Sequence, residues 1–365
     1  MKKILLKSIL IIILLISVFI IPLFRSTGII IYFRLFLMAW LLVEGFKLFK
    51  IILIDRESNK IISNLGTILL SVFAVFIFLE SIFMFIPRSH GVHYSLAAQL
   101  WLAKYWKPVN SLGFRDKEPQ HAKNVILFLG DSFTAGHGLK YVDERFSNIV
   151  EKELNKDGAQ YTTINIGAND ADTTLEYNRM IDFYYLTRIK PKTIVLQYFA
   201  NDIERVAMNS GIVFEGFRPP PDMNKFLLLI GSGSYFLNYI YWLFPREYLS
   251  LPYINFLKQS YENKDVLAKH KENLKAFMDY ARENSIQLIV VIFPLMNDLG
   301  ISDSMYVKDI VNLFEASNIS AINVSPLVKD IPVNERIINI NDAHASPKVH
   351  RIVAREILKK IDQQN

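Results

Sequence analysis

The chain has no cysteine, which excludes disulfides, thiolate metal sites and a thiol nucleophile together. Any covalent chemistry must rest on Ser, Thr, Lys or a carboxylate, and any metal site on His and carboxylates. Also lacking is a basic run. The formal net charge is +6, but Lys and Arg are scattered and often sit beside Asp or Glu, unlike the basic arm of a nucleic-acid-binding protein. Nucleic acid is therefore not an expected partner. Neither an internal repeat nor a low-complexity tract is present, so solenoid and disordered-tail readings drop out. What the chain has in excess is apolar residues, 51% of 365, concentrated before Pro87. That length accommodates one full-sized catalytic domain and an accessory region. The expected division is a membrane anchor over 1–87, a connector over 88–122, and a main domain over 123–365 with an apolar insertion around 206–262.

The run Ile4 to Phe24 is broken by Lys7, Ser8, Ser17 and Pro22 alone and, at about 1.5 Å per helical residue, is long enough to cross a bilayer. No small-residue cleavage pattern follows it, so an uncleaved anchor is expected rather than a signal peptide. Ile29 to Phe46, carrying Arg34 and Glu44, is a second candidate, and Ile61 to Pro87, with Ser71, Glu80 and Ser81, a third. Lys2, Lys3 and Lys7 mark the inner side, as do Lys47 to Lys60 with Lys50 and Arg56, and the turn Arg25 to Gly28 lies opposite. Three crossings put everything after Pro87 outside a bacterial cytoplasmic membrane. Arg34, Glu44 and Glu80 are expected to snorkel or to bridge helices rather than to line an ion pathway.

The stretch 90–121 reads as a connector, with a turn-rich centre at Asn110-Ser111-Leu112-Gly113-Phe114-Arg115-Asp116. Beyond it, short β-rich runs alternate with helical patterns. Strands are expected at Val125–Leu129, Thr162–Ile166, Thr193–Phe199, Gln287–Phe293 and Ala321–Val324. Helices are expected around 145–155, 173–187, 264–283, 305–316 and 347–361. Buried strands separated by helices imply an α/β fold with a five-stranded parallel sheet covered on both faces. Such a sheet binds ligands beyond the carboxyl ends of its strands. In the helix at 264–283, Leu267, His270, Leu274, Phe277 and Ala281 form a core-facing stripe, so His270 is given no catalytic role; nor is His350, inside the last helix.

The first strand runs into Gly130-Asp131-Ser132-Phe133-Thr134-Ala135-Gly136, which sets a serine at a strand-to-helix turn. A hydroxyl becomes a nucleophile only when a base takes its proton, and a helix amino terminus favours negative charge nearby. Gly-Asp-Ser alone also arises by chance, and capping explains a Ser or Asp at a helix start. The second strand is followed by Asn165-Ile166-Gly167-Ala168-Asn169-Asp170 and the third by Asn201-Asp202. A glycine N–H and an asparagine amide are donors for an oxyanion, although a turn glycine and a loop-capping amide are the commoner structural roles. Near the end comes Asn341-Asp342-Ala343-His344-Ala345-Ser346-Pro347: a base beside a carboxylate, or simply a solvated loop before a helix capped by Ser346 with Pro347 at its first position.

Together these blocks resemble the SGNH hydrolase family, also called GDSL esterases and lipases, from Val125 to about Ile361. The resemblance implies a flavodoxin-like three-layer α/β/α domain. It makes Ser132 the nucleophile, His344 the base, Asp342 its orienting acid, and Ser132, Gly167 and Asn201 the oxyanion donors; Asp131 and Asp202 would lie beside the substrate. No metal and no cofactor is implied. Two positions depart from the pattern. Phe199 stands where the family commonly has glycine, which is expected to narrow the pocket. Only Ala343 separates Asp342 from His344, where two residues are usual, a shorter form familiar among envelope-associated relatives. Lys225 to Phe244 is long and apolar enough for a fourth span, but a crossing there would put Ser132 and His344 on opposite sides of the membrane. A lid or membrane-facing flap is expected instead, or plain core packing.

The expected function is an extracytoplasmic esterase cleaving O-acyl, above all O-acetyl, esters of a surface glycan or lipid-linked substrate. Two alternatives stay open. One is an O-acyltransferase working with a membrane acyltransferase or polysaccharide-assembly partner. The other is a non-catalytic component of an envelope-polymer assembly complex.

Overall fold

The computed structural model describes residues 2–20, 28–54, 60–91, 95–214, 216, 231–245 and 247–362. Residues 25–27 of the turn expected at Arg25 to Gly28, Arg56 and residues 217–230 of the apolar insertion lie outside them. The chain forms two compact units: Met1–Arg88 with His93–Trp101 and Pro220–Phe244, and Ser89–Val92 with Leu102–Pro219 and Pro245–Asn365.

The first unit is built on helices α1 (Lys2–Ile20), α2 (Gly28–Phe49) and α3 (Lys60–Phe83). None contains proline, and a helix satisfies its own backbone, as an apolar segment requires where water is absent. Leu14, Val18, Leu37, Met38, Leu41 and Ile77 pack inward, whereas Leu6, Ile13, Phe36, Val72 and Phe78 remain more than half exposed. By length and composition, Ile29–Ile52 and Asn64–Phe83 suffice to cross a membrane, and Ile4–Val18 is apolar but shorter. The charges that interrupt the second run are turned onto other helices. The buried Arg34 guanidinium pairs with Glu80 at 2.6 Å, and Glu44 accepts from Lys47 at 2.8 Å and from Lys7.

Glu80 organises more than this pair. It accepts from Ser234 Oγ at 2.6 Å and from the Tyr235 and Phe236 N–H groups at 2.7 and 3.0 Å, at the start of the helix Tyr235–Tyr241. Residues 231–244 of the insertion therefore pack within the helical unit, with Tyr235 in its core; of the expected outcomes, packing describes this stretch. The reason is electrostatic: a carboxylate on an apolar helix needs several donors, and the first turn of a returning helix supplies them. The expected connector also contains a helix, α4 (Leu96–Tyr105), whose Leu96, Ala97, Ala98 and Trp101 are buried.

The second unit holds five parallel strands, β1 (Asn124–Leu129), β2 (Tyr161–Asn165), β3 (Thr193–Tyr198), β4 (Gln287–Ile292) and β5 (Ser320–Asn323), ordered β2-β1-β3-β4-β5. This is the flavodoxin-like order, in which winding reverses between β1 and β3 and opens a crevice at their carboxyl ends. Alternation builds both faces. Leu127, Leu129, Ile194, Leu196 and Val290 pack with Leu274 and Phe277 on one side; Ile126, Phe128, Val195 and Val291 pack with Phe146, Val353 and Ile357 on the other. Helices Phe146–Leu154, Thr173–Thr187, Lys264–Glu283, Lys308–Ala316 and Pro347–Asp362 complete the layers. An antiparallel hairpin, β6 (Ile337–Asn339) and β7 (Asp342–Ala345), stands where the sequence reads as a loop.

Candidate active site

The register Phe128↔Asn165 and Leu129↔Leu196 brings the ends of β1, β2 and β3 level, so their following loops converge. After β1 the chain turns at Gly130, with φ +149; a Cβ there would lie 2.3 Å from Thr134 Oγ1 and 2.4 Å from Gln197 Oε1. Only glycine fits. Asp131 caps the helical turn α5 (Ser132–Ala135), its Oδ1 accepting from Phe133 N–H at 2.8 Å, while its own N–H donates to Gln197 Oε1 at 3.0 Å. Ser132 occupies the first position of that turn, where a backbone N–H has no intrahelical acceptor.

His344 and Asp342 lie in β7. Successive strand residues face opposite sides, so two positions with one between them share a face. That periodicity makes the single intervening Ala343 sufficient. His344 Nε2 is 2.7 Å from Ser132 Oγ, and His344 Nδ1 is 2.5 Å from Asp342 Oδ1, which also accepts from the His344 N–H at 3.2 Å. Serine, imidazole and carboxylate thus form one hydrogen-bonded line. Burial pushes the Asp342 carboxyl up, but the imidazole's charge and hydrogen bond, with His137 and Ser89 adding to them, hold it well below the usual carboxylate range. For His344 burial favours the neutral ring; the charge and hydrogen bond of Asp342, helped by Asp131 and Asp170, outweigh it and raise the imidazole above its ordinary value.

The three expected oxyanion donors differ in availability. Ser132 N–H stands at the open start of α5. Asn201, in the turn after β3, donates to Ala171 O at 3.1 Å and also hydrogen-bonds the Asp131 carboxylate. Gly167 is pressed against α5, where a Cβ would lie 2.6 Å from Ala135 N, but its N–H donates to Asn165 Oδ1 at 3.0 Å. In this structure Gly167 is therefore not a free oxyanion donor, because an Asx turn takes its hydrogen.

Asp131 and Asp202, expected beside the substrate, are engaged in the loops themselves. Both carboxylates are buried and hold local structure. Asp131 caps α5, and burial pushes it up to about 6 against the bond from Phe133 N–H. Asp202 accepts from Phe199 N–H at 2.7 Å and Thr173 Oγ1 at 2.8 Å. Burial also raises the buried Glu176 carboxyl, which hydrogen-bonds Asp202 and is repelled by Asp202 and Asp131. Phe199, the departure from the family pattern, packs on Phe133 at 4.7 Å between ring centroids, and Phe133 in turn lies 5.1 Å from the His344 ring. His270 is buried with Nε2 2.9 Å from Tyr198 Oη, and His350 Nδ1 accepts from Phe146 N–H at 3.2 Å.

Several contributors escaped the sequence reading. Ser89 Oγ hydrogen-bonds Asp342 Oδ2. The His137 ring lies 4.6 Å from that of His344, with Nε2 3.1 Å from His90 O and Nδ1 3.3 Å from Asn169 Nδ2. His137, Asp342 and His344 bring metal-ligand atoms within 4.8 Å of one another, yet the histidine nitrogens are all engaged in hydrogen bonds. The expected connector clamps the loop that follows Ser132: buried Arg115 donates to Gly136 O at 2.6 Å and to Leu139 O and Tyr105 O at 2.8 Å. Asp116 pairs with buried Arg145 at 2.8 Å and accepts from Asn165 N–H at 2.8 Å. The adjacent Arg115-Asp116 pair was the available signal.

No family model matches the sequence, and no curated protein matches it. Solved structures do. The chain is similar to solved esterases and lipolytic proteins of the G-D-S-L kind. Among them are the lipase/acylhydrolase from Enterococcus faecalis, at 16% identity, TM-score 0.41, 66% of this chain and 96% of that one; and the psychrotrophic esterase EstA from Pseudoalteromonas sp., at 16%, 0.40, 66% and 98%. A third is the acetylxylan esterase Axe2 from Geobacillus stearothermophilus, at 14%, 0.42, 66% and 95%. Likeness at this level assigns no chemistry, which rests on the residues described above.

Proposed function

We propose that this protein is a membrane-anchored serine esterase that cleaves O-acyl esters through an acyl-enzyme. The observation that carries this reading is the line Ser132 Oγ, His344, Asp342, with its 2.7 Å and 2.5 Å contacts. Ser132 Oγ attacks the ester carbonyl carbon as His344 Nε2 takes its proton, and Asp342 stabilises the resulting imidazolium. The carbonyl oxygen, now negative, is met by Ser132 N–H, with the Asn201 amide and Gly167 N–H joining if Asp131 and Asn165 release them. The tetrahedral adduct collapses, the alcohol leaves with the proton from His344, and the acyl group stays on Ser132. Water then gives a proton to His344 and its oxygen to the acyl carbon; the carboxylic acid departs and Ser132 regains its hydrogen.

A small acyl group such as acetyl suits a site in which Phe199, packed on Phe133, stands where the family commonly has glycine. The apolar, outward-facing surfaces of α1–α3 support anchorage in a membrane, and the basic residues at the start of α1 and around Lys47 favour an external catalytic domain. A surface glycan or lipid-linked ester is the substrate class consistent with that placement.

Purified full-length protein is expected to hydrolyse p-nitrophenyl acetate, with Ser132→Ala and His344→Ala each losing about 10³-fold or more in kcat. Turnover unchanged in both variants rejects the reading. Acylated sugar formed with little free acid would redirect it to transfer. A carboxyl-terminal phosphatase fusion should be active; an inactive fusion contradicts the external placement.

A further inference from the structure

Asp342 has two carboxylate oxygens, and the triad uses one. Oδ1 takes both His344 N–H groups. Oδ2 receives the hydroxyl of Ser89, with His137 Nε2 at 3.9 Å. Ser89 comes from the segment that follows α3 in the chain, 253 positions before Asp342, and is buried.

Its neighbours are tied as firmly. The Ser89 carbonyl accepts from Asn339 Nδ2 at 3.1 Å, and Gly91 N–H donates to Asn341 O at 2.8 Å, so the segment lies along the β6–β7 hairpin. The His90 carbonyl faces His137 Nε2 at 3.1 Å, and His137 N–H donates to Ser132 O at 2.8 Å, so the same segment reaches the loop that carries the nucleophile. Three consecutive residues thereby connect the two loops whose alignment the reaction needs.

We propose that Ser89–Gly91 is a strap belonging to the catalytic apparatus, with Ser89 the positioning residue that fixes the Asp342 carboxylate for His344. This rests on the esterase reading above. A carboxylate held through one oxygen can swing about its side-chain torsions, whereas a donor on the second oxygen fixes its plane and disperses its charge. The hairpin alone does not supply that donor. A catalytic unit cut at the start of β1 would keep the triad residues but lose the hydroxyl that sets the acid.

The test uses the full-length chain in detergent. Ser89→Ala, Ser89→Thr and wild type are compared for kcat, KM, the pH profile of kcat/KM, and covalent labelling of Ser132 by a fluorophosphonate. Ser89→Ala should lower kcat about ten- to a hundredfold, the effect of one hydrogen bond to a charged group, with KM little changed. Its acid limb should move to higher pH, because the less dispersed charge on Asp342 holds the His344 proton more tightly. The other charged or titratable neighbours of that pair, His137, Asp131 and Asp170, are unaltered in the variant. Ser89→Thr, which keeps the hydroxyl, should recover most of the rate and the wild-type limb. Wild-type kinetics in Ser89→Ala, or equal slowing in both variants with the limb unmoved, overturns the inference while leaving Ser132 labelling, and hence the esterase reading, intact. Absence of Ser132 labelling in wild type defeats the esterase reading and this inference with it. Should Ser89→Ala fail to fold, Asn339→Ala, which releases only the Ser89 carbonyl, decides in its place: a smaller shift in the same direction supports the strap, and wild-type kinetics overturns it.

Discussion

In the proposed mechanism His344 is the residue on which the chemistry turns, and its protonation sets the working pH. Its folded-state value lies above the ordinary histidine value, so it remains protonated to a higher pH than a free imidazole. Only the neutral ring takes a proton from Ser132. Activity should therefore be low in acid and rise as pH passes a value above about 6.5; an acid limb in kcat/KM below that point would contradict the assignment. Ser132 and His344 were legible in the sequence because nucleophilic chemistry restricts the residue types. Asp131 and Asp202 are harder to read, for the opposite reason. A carboxylate that caps a turn and one that touches substrate are the same letter, and only burial separates them.

The β6–β7 hairpin is the element that gives the Asp342-Ala343-His344 spacing its meaning. Read as a loop, one intervening residue leaves the acid's direction open; as a strand, it puts both side chains on one face. Inserting one residue after Ala343 should turn the imidazole to the opposite face and reduce kcat by about 10³-fold or more. Near-normal turnover would show that the strand does not impose this geometry. The parallel strands were visible because their apolar runs are continuous, a pattern that burial on both faces produces. The hairpin was not, since Asp342, Ala343, His344 and Ala345 carry no β-branched or aromatic signal. Helix α4 was hidden by its weak amphipathic pattern: Leu96, Ala97, Ala98 and Trp101 bury one side, yet apolar residues occur all round it.

At the scale of the molecule, each unit is organised by a buried charge that gathers distant chain. In the helical unit Glu80 accepts from Arg34, Ser234 and two backbone N–H groups. Removing it would leave a buried guanidinium without its counterion and several donors without acceptors. Glu80→Ala should destabilise the protein by about 3–5 kcal/mol, seen as a lowered unfolding temperature in detergent; an unchanged temperature would show that the carboxylate is not what holds residues 234–236. In the α/β unit Arg115 plays the corresponding part, binding the carbonyls of Gly136 and Leu139 behind Ser132.

The order of strands and helices, the apolar helices and the three loops bearing Ser132, Asn201 and His344 are determined by the sequence itself, because periodicity and turn chemistry act between near neighbours along the chain. Tertiary structure alone decided that Ser89 reaches Asp342, that Asn165 occupies the Gly167 amide, that Asp131 and Asp202 are sealed inside, and that residues 231–244 join the helical unit. Each depends on which polar atoms meet after the chain has packed. That outcome is set by the need to satisfy buried donors and acceptors across the whole fold, and no local stretch of sequence records it.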